Sequence, residues 1–244
     1  MISIKELHKK TLPEYKRQFV KIDYVSYYLW RPICDYMTIL FLNTKITATA
    51  VTIVSFYSCL LSLACFIFIP SVQGALLGYL LFWIWNISDG IDGNIARYTD
   101  TCSKAGDLWD ALAGYVAMFV VYFGAGIYAA SENSLISIPF LRDIDFCIMG
   151  AIAGICTLLP RLIIQKKECV YGKEASKNMK DRSTFGIVKI LAVNVISING
   201  VSGLLFLLAI ISRMVNVYII VYSFIMLAFG VSSIYSIMKG LPNE

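Results

Sequence analysis

DGIDGNIARYTDTCSKAGDLWD, residues 89–110, places carboxylates, glycines and one arginine at fixed intervals between two apolar stretches. Asp89 and Asp92 stand one helical turn apart at the end of a long apolar run, and Asp107 and Asp110 repeat that spacing at the start of the next. A lone Asp near the middle of a membrane helix costs roughly 2.5–3.5 kcal/mol on insertion scales, so several converging ones imply a water-filled cavity. The simplest occupant of a cavity walled by hard oxygen ligands is a divalent cation.

The surrounding chain sets the class. Its 244 residues are 58% hydrophobic and only 15% charged, with a mean hydropathy of +0.71, too apolar for a soluble domain of this size. Apolar stretches long enough to cross a hydrocarbon core of about 30 Å fall near 46–69, 72–95, 108–130, 146–165, 190–211 and 214–238. The expected fold is an all-α integral membrane protein with six transmembrane helices. The expected division is an N-terminal interfacial segment over 1–45 and a six-helix transmembrane domain over 46–244.

Charge assigns the sides. Every Lys and Arg except Arg142 and Arg213 falls in the N-terminal segment, the 96–107 link, the 161–189 region or at Lys239. The positive-inside rule then makes both termini cytoplasmic. Helix 1 leaves the cytoplasm and helix 2 returns, which sets Asp89 and Asp92 opposite Asp107 and Asp110 in one pocket facing the cytoplasm.

The first 45 residues mix Lys9, Lys10, Lys16, Arg17 and Lys21 with Leu12, Tyr15, Phe19, Tyr24, Tyr27, Tyr28 and Trp30. That mixture suits an interfacial helix, with cations on lipid phosphates and aromatics at the headgroup level. No apolar core follows the first charges as a signal peptide requires. Arg31 and Pro32 then open a short apolar segment to about Leu42.

Other classes drop out. Seven cysteines are scattered without a CxxC pair and His8 is the single histidine, so a zinc site is not expected. There is no Walker or Rossmann glycine loop and no basic patch arranged for nucleic acid.

Metal-assisted phosphoryl transfer needs oxygen ligands that hold Mg²⁺ or Mn²⁺ against a pyrophosphate. Asp89 and Asp92 from one helix and Asp110 from the next supply them from two rigid directions. Gly93, Ala96 and Gly106 keep the wall low where a nucleotide would lie, and Arg97 can meet phosphate oxygens through two donors at once. Each residue alone has a plainer role: small residues pack helices, Arg97 anchors at the cytoplasmic face, and Asp107 suits a helix N-terminus. Their joint spacing favours the chemistry.

These residues resemble the signature of the CDP-alcohol phosphotransferases (CDP-alcohol phosphatidyltransferases), D-x2-D-G-x2-A-R-x8-G-x3-D-x3-D. The chain matches it at Asp89, Asp92, Gly93, Ala96, Arg97, Gly106 and Asp110. The resemblance implies an N-terminal interfacial helix followed by six membrane helices, with the signature across helices 2 and 3. It also implies a reaction in which a phosphoryl-alcohol unit passes from a CDP-linked donor to a hydroxyl acceptor, lipid or small alcohol, with release of CMP. By position, Asp89, Asp92 and Asp110 become ligands of Mg²⁺ or Mn²⁺, and Gly93, Ala96, Arg97 and Gly106 the CDP site. The resemblance further implies a homodimer among membrane lipids.

One signature position fails. The fourth aspartate, the family's proposed base, falls where this chain has Gly114. Asp107 can substitute, since 107, 110 and 114 share one helical stripe; the acceptor can dispense with a protein base; or the fold survives as a catalytically silent CDP-ligand-binding protein. On the acceptor side stand Arg161 and Lys189, with Lys166, Lys167, Lys173, Lys177, Lys180 and Arg182 between them, although the positive-inside rule explains cations there unaided. Asn194 and Asn199 read as interhelical hydrogen-bonding groups. A transport pore would line a path across the bilayer with polar groups, and here the charges stop at one side.

Overall fold

The computed structural model describes residues 2–12, 20–44, 46–131, 135–172, 176 and 186–241. Among the described residues the secondary structure is helix, with no strand. Helix α1 spans Ile4–Thr11, and a π-helical turn, Ser26–Trp30, runs directly into α2, Arg31–Thr44. The long helices follow: α3, Ala48–Phe68; α4, Val72–Tyr98; α5, Lys104–Ala129; and α6, Asp143–Tyr171. Two short helices, α7 (Ile187–Ile196) and α8 (Val201–Ile211), precede α9, Val215–Lys239.

Hydroxyl caps start three of these helices at the places the polar punctuation marks. Thr47, Ser71 and Ser103 accept the backbone N–H of Ala50, Gly74 and Gly106 at 3.3, 3.1 and 3.0 Å, each filling one of the orphan donors of a helix N-terminus. Helix α4 ends in the turn before Ser103: Asp100 takes φ +53° while the Thr101 N–H returns to the Ala96 carbonyl at 3.0 Å. This closure lets α4 and α5 meet at one end and places both halves of the Asp-rich stretch side by side.

Among the described residues, four helices, α3, α5, α6 and α9, are long and apolar enough to cross a membrane, and α7 with α8 adds a fifth span if the pair counts as one. These helices fit a multi-pass integral membrane protein. Helix α4 is long enough at 27 residues, but it carries Gln73, Asn86, Asp89, Asp92, Asn94 and Arg97, which keep it out of that apolar set. Two expected boundaries differ. The apolar run 190–211 is broken, its halves bent by 45°, and Ser197, Ile198, Asn199 and Gly200 form the break. The fourth apolar helix does not stop near 165 but continues past Pro160 to Tyr171. Lys166 and Lys167 are therefore helical, not loop, residues, and Arg161 lies within α6 rather than at its end. Lys167 is buried and donates to the Gly240 carbonyl at 2.7 Å, so it ties the end of α9 to α6. Lys173, Lys177, Lys180 and Arg182 lie outside the described residues.

Helix α3 lies against α4 and α5, and α6 against α5 and α9. The α5–α6 crossing is glycine on glycine: a Cβ added at Gly150 would sit 2.6 Å from the Tyr122 carbonyl oxygen, and one at Gly126 would sit 2.5 Å from that of Phe146. Close backbone approach of this kind is how membrane helices gain contact without a hydrophobic driving force. Gly150→Leu is expected to lower stability by about 1–3 kcal/mol or more, read as an earlier thermal unfolding in detergent; an unshifted transition would contradict the close crossing.

The N-terminal segment is folded onto this bundle. Leu7 is fully buried and Leu12 nearly so, so α1 turns part of its apolar face to protein instead of lipid, while Lys5, Lys9 and Lys10 stay exposed. Lys10 lies over the Tyr98 ring at 4.3 Å, and the Tyr98 hydroxyl donates to Glu6 at 2.6 Å. Trp30 stacks on Trp83 of α4. Asn194 of α7 accepts from the Tyr24 N–H at 2.8 Å and donates to the Ile22 carbonyl at 2.7 Å, and Ser197 donates to Asp23 at 2.5 Å. Tyr24, Tyr28 and Tyr36 remain exposed. Tyr15, Lys16, Arg17 and Phe19, expected on the interfacial helix, lie outside the described residues.

Candidate active site

Three cavities meet at the closed end of α4 and α5. The first, about 400 Å³, is lined by Asp89, Asp92, Gly93, Ala96, Arg97, Gly106, Asp107 and Asp110, with Thr52 and Ser103 beside them. Every signature residue read from the sequence thus faces one space, and Asp107 joins them. The second, about 570 Å³, shares Asp89 and Asp110 with the first and extends between α5 and α6 past Gly114 and Arg161. The third, about 170 Å³, runs under the N-terminal segment and shares Asp89 with both others and Arg97 with the first. Among the described residues, Asp89 alone is on the wall of all three.

The carboxylates are held in different ways. Asp92 is buried, 4% exposed, and its Oδ2 accepts the Thr52 hydroxyl of α3 at 2.5 Å. The like charges of Asp110 and Asp92 act on Asp89, and Arg161 opposes them. Like charges gathered at the polar end of an apolar bundle repel unless a cation offsets them. Asp107 is exposed in the first turn of α5 and is absent from the wall of the second cavity. No group of three or more His, Cys, Asp or Glu side chains among the described residues converges closely enough to hold a metal ion as the side chains stand. The donor chemistry nonetheless suits a hard divalent cation, since the three signature carboxylates line one cavity.

Arg97 is steadied by residues that the signature does not contain. Its Nη2 donates to Asn94 Oδ1 at 3.3 Å, and Asn94 Nδ2 in turn reaches Thr38 at 3.3 Å and Asp35 at 3.5 Å. Asp35 is buried and meets His8 Nε2 at 2.6 Å. Three elements therefore converge behind one guanidinium: α1 through His8, α2 through Asp35 and Thr38, and α4 through Asn94 and Arg97. Gly93 keeps this arrangement open, because a Cβ there would sit 2.9 Å from Arg97 Nη2. Gly106 has a structural role as well: it is the residue whose N–H Ser103 caps.

Sequence reading missed Thr52, Asp35, Asn94 and His8. Asp35 was within reach of the argument used for Asp89, since a carboxylate in the short apolar segment after Pro32 needs a partner. Lys189, expected beside the pocket, lines none of the three cavities. Asn194 serves the N-terminal segment, as an interhelical hydrogen-bonding group would, whereas Asn199 lines the second and third cavities and its Oδ1 is buried without a hydrogen-bond partner among the described residues.

Comparison with curated proteins finds no relative. The family model for CDP-alcohol phosphatidyltransferase matches residues 45–231, a stretch that takes in α3 to α8, most of α9 and the whole of the first cavity's wall. With the match covering most of the chain, the protein belongs to the CDP-alcohol phosphatidyltransferase family.

Proposed function

We propose that the protein is an active transferase that moves a phosphoryl-alcohol group from a CDP-linked donor to a hydroxyl acceptor and releases CMP, in phospholipid or glycolipid synthesis. One observation carries the reading: two cavities of different character share the carboxylates of Asp89 and Asp110. The first holds the CDP donor, its pyrophosphate against Arg97 and its nucleotide over Gly93, Ala96 and Gly106. The second holds the acceptor. Asp89, Asp92 and Asp110 would hold Mg²⁺ or Mn²⁺, whose charge would offset that of the pyrophosphate oxygens. Thr52 fixes the Asp92 carboxylate, and the Asn94 amide fixes Arg97, so both groups meet the donor without reorganising.

The wider assembly is part of the same proposal: α4 as a sixth span, both termini and the cavities on the cytoplasmic side, an interfacial N-terminal segment before the catalytic domain, and a homodimer. The distribution of Lys and Arg supports the orientation.

Protein reconstituted in lipid nanodiscs with Mn²⁺ and a panel of CDP-alcohols, CDP-diacylglycerol included, is expected to release CMP. Binding of the donor with no CMP above a chelator-treated control would instead favour the silent, ligand-binding reading, for which Gly114 is the specific observation. Asp107 is the sequence candidate for the missing base, and a true base would cost about 10²–10⁴-fold on removal. Because its carboxylate lines the first cavity and not the second, Asp107→Ala is expected to cost less than about tenfold in kcat; a larger loss would restore it as the base.

A further inference from the structure

Three cavities meet at Asp89, and a phosphoryl transfer needs three directions. In an in-line displacement the attacking and leaving oxygens lie on opposite sides of the phosphorus. With the acceptor approaching from the second cavity and CMP departing into the first, the phosphorus stands where the two share Asp89. The alcohol already esterified to that phosphorus lies on neither side and projects across the line. The third cavity, about 170 Å³, opens there: it shares Asp89 with the other two and Arg97 with the first.

The wall of this cavity gathers polar atoms that the protein itself does not satisfy. Trp30 Nε1, Arg31 Nε, Asn86 Nδ2 and Asn199 Oδ1 are buried without a hydrogen-bond partner among the described residues, and all four residues line it. Asn86 is only 6% exposed. Unsatisfied buried groups are costly, so four around one small space point to a polar occupant. The like charge of Arg31 acts on Arg97, and neither makes an ion pair among the described residues. Two guanidiniums bordering one space favour an anion between them and disfavour an ammonium group.

We propose that the third cavity receives the alcohol of the donor, and that this alcohol is a short uncharged polyol rather than diacylglycerol or an amino alcohol. The proposal rests on the transferase reading and names its donor class. The β-phosphate sits between Arg97 and Arg31, and the polyol hydroxyls meet Asn86 and Asn199, one offering an N–H and the other an oxygen. Diacylglycerol would set acyl chains against unsatisfied polar groups. In the transfer the acceptor oxygen bonds to the β-phosphorus as the bond to the CMP oxygen breaks. CMP leaves with that electron pair, the acceptor proton is released to water, and the polyol keeps its ester bond throughout. Trp30 and Arg31 precede residue 45, where the match to the family model begins, so part of this selectivity comes from the N-terminal segment and not from the signature.

The test reads donor binding without acceptor, which separates it from CMP release. With the full chain in phosphatidylcholine nanodiscs and Mn²⁺, CDP-glycerol is expected to bind about tenfold tighter than the ethyl ester of CDP, which has the same charge and no free hydroxyl. CDP-ethanolamine should bind no tighter than the ethyl ester. Asn86→Leu should bring CDP-glycerol to within about twofold of the ethyl ester, while the loss of an unpartnered amide leaves the ligand-free unfolding transition at or above that of the unaltered protein. Asn199→Ala reads the same hydroxyl contacts if the leucine variant does not fold. Arg31→Gln should weaken CDP-glycerol and the ethyl ester alike, by about tenfold. A preference for CDP-glycerol without any CMP release would sink the transferase reading and leave the polyol site standing. Equal binding of CDP-glycerol and the ethyl ester overturns the proposal, as does a preference that survives both asparagine variants. Faster CMP release from CDP-diacylglycerol than from CDP-glycerol overturns it too, with the transferase reading intact.

Discussion

Asp92→Ala is expected to lower CMP release by about 10²–10³-fold, the usual cost of deleting one preorganised electrostatic group. Asp92 is the most enclosed of the signature carboxylates on the first cavity, and the Thr52 hydroxyl holds its Oδ2 at 2.5 Å. Alanine removes the oxygen donor and leaves Thr52 with only the Ala48 carbonyl, at 3.1 Å. Asp92→Asn separates charge from shape, since an amide oxygen can still accept from Thr52. If the aspartate serves to hold a divalent cation, the amide should fail almost as badly as alanine. Retention of more than about a tenth of the activity by Asp92→Asn would sink the metal-ligand assignment.

Arg97→Ala should cost about 10²-fold in kcat/KM for the donor, through loss of one or two charge-assisted hydrogen bonds to phosphate worth about 1.5–3 kcal/mol each. Folding should hardly change, because the side chain is exposed and its hydrogen bond is with Asn94 at 3.3 Å. Arg97→Lys should recover only part of the loss, since an ammonium cannot offer the planar pair of donors. Donor titrations of all three proteins, with unfolding curves beside them, decide the matter. A fall in stability that matches the fall in activity would make Arg97 a structural residue.

The wall of the first cavity was legible because it is written at short range. Spacing of three, four and eight residues sets Asp89, Asp92, Gly93, Ala96 and Arg97 along one helix, and the Ser103 cap with the turn at Asp100 brings Asp110 alongside. The apolar runs likewise exposed α3, α5, α6 and α9 as helices able to cross a membrane. What spacing cannot convey is contact across long sequence separations. His8 meets Asp35 and Thr52 meets Asp92 because separate helices pack together, and no local pattern encodes those pairs. The break at Ser197–Gly200 escaped because the flanking residues are as apolar as an unbroken span. Lys166 and Lys167 invited the opposite error: their charges read as the start of a link near 165, yet α6 runs on through them to Tyr171.

The clasp between Asn194 and the Ile22–Tyr24 backbone joins residues 170 and 172 positions apart. A chain made from its N-terminus at roughly 5–20 residues per second reaches Asn194 only about ten to thirty seconds after Tyr24 has been made. Through that interval the aspartates of α4 and α5 have emerged while the third cavity, walled by Val20, Ser26 and Asn199, still lacks Asn199. The order of synthesis therefore lets the wall of the first cavity form early, and the N-terminal segment is latched only once α7 arrives to hold it.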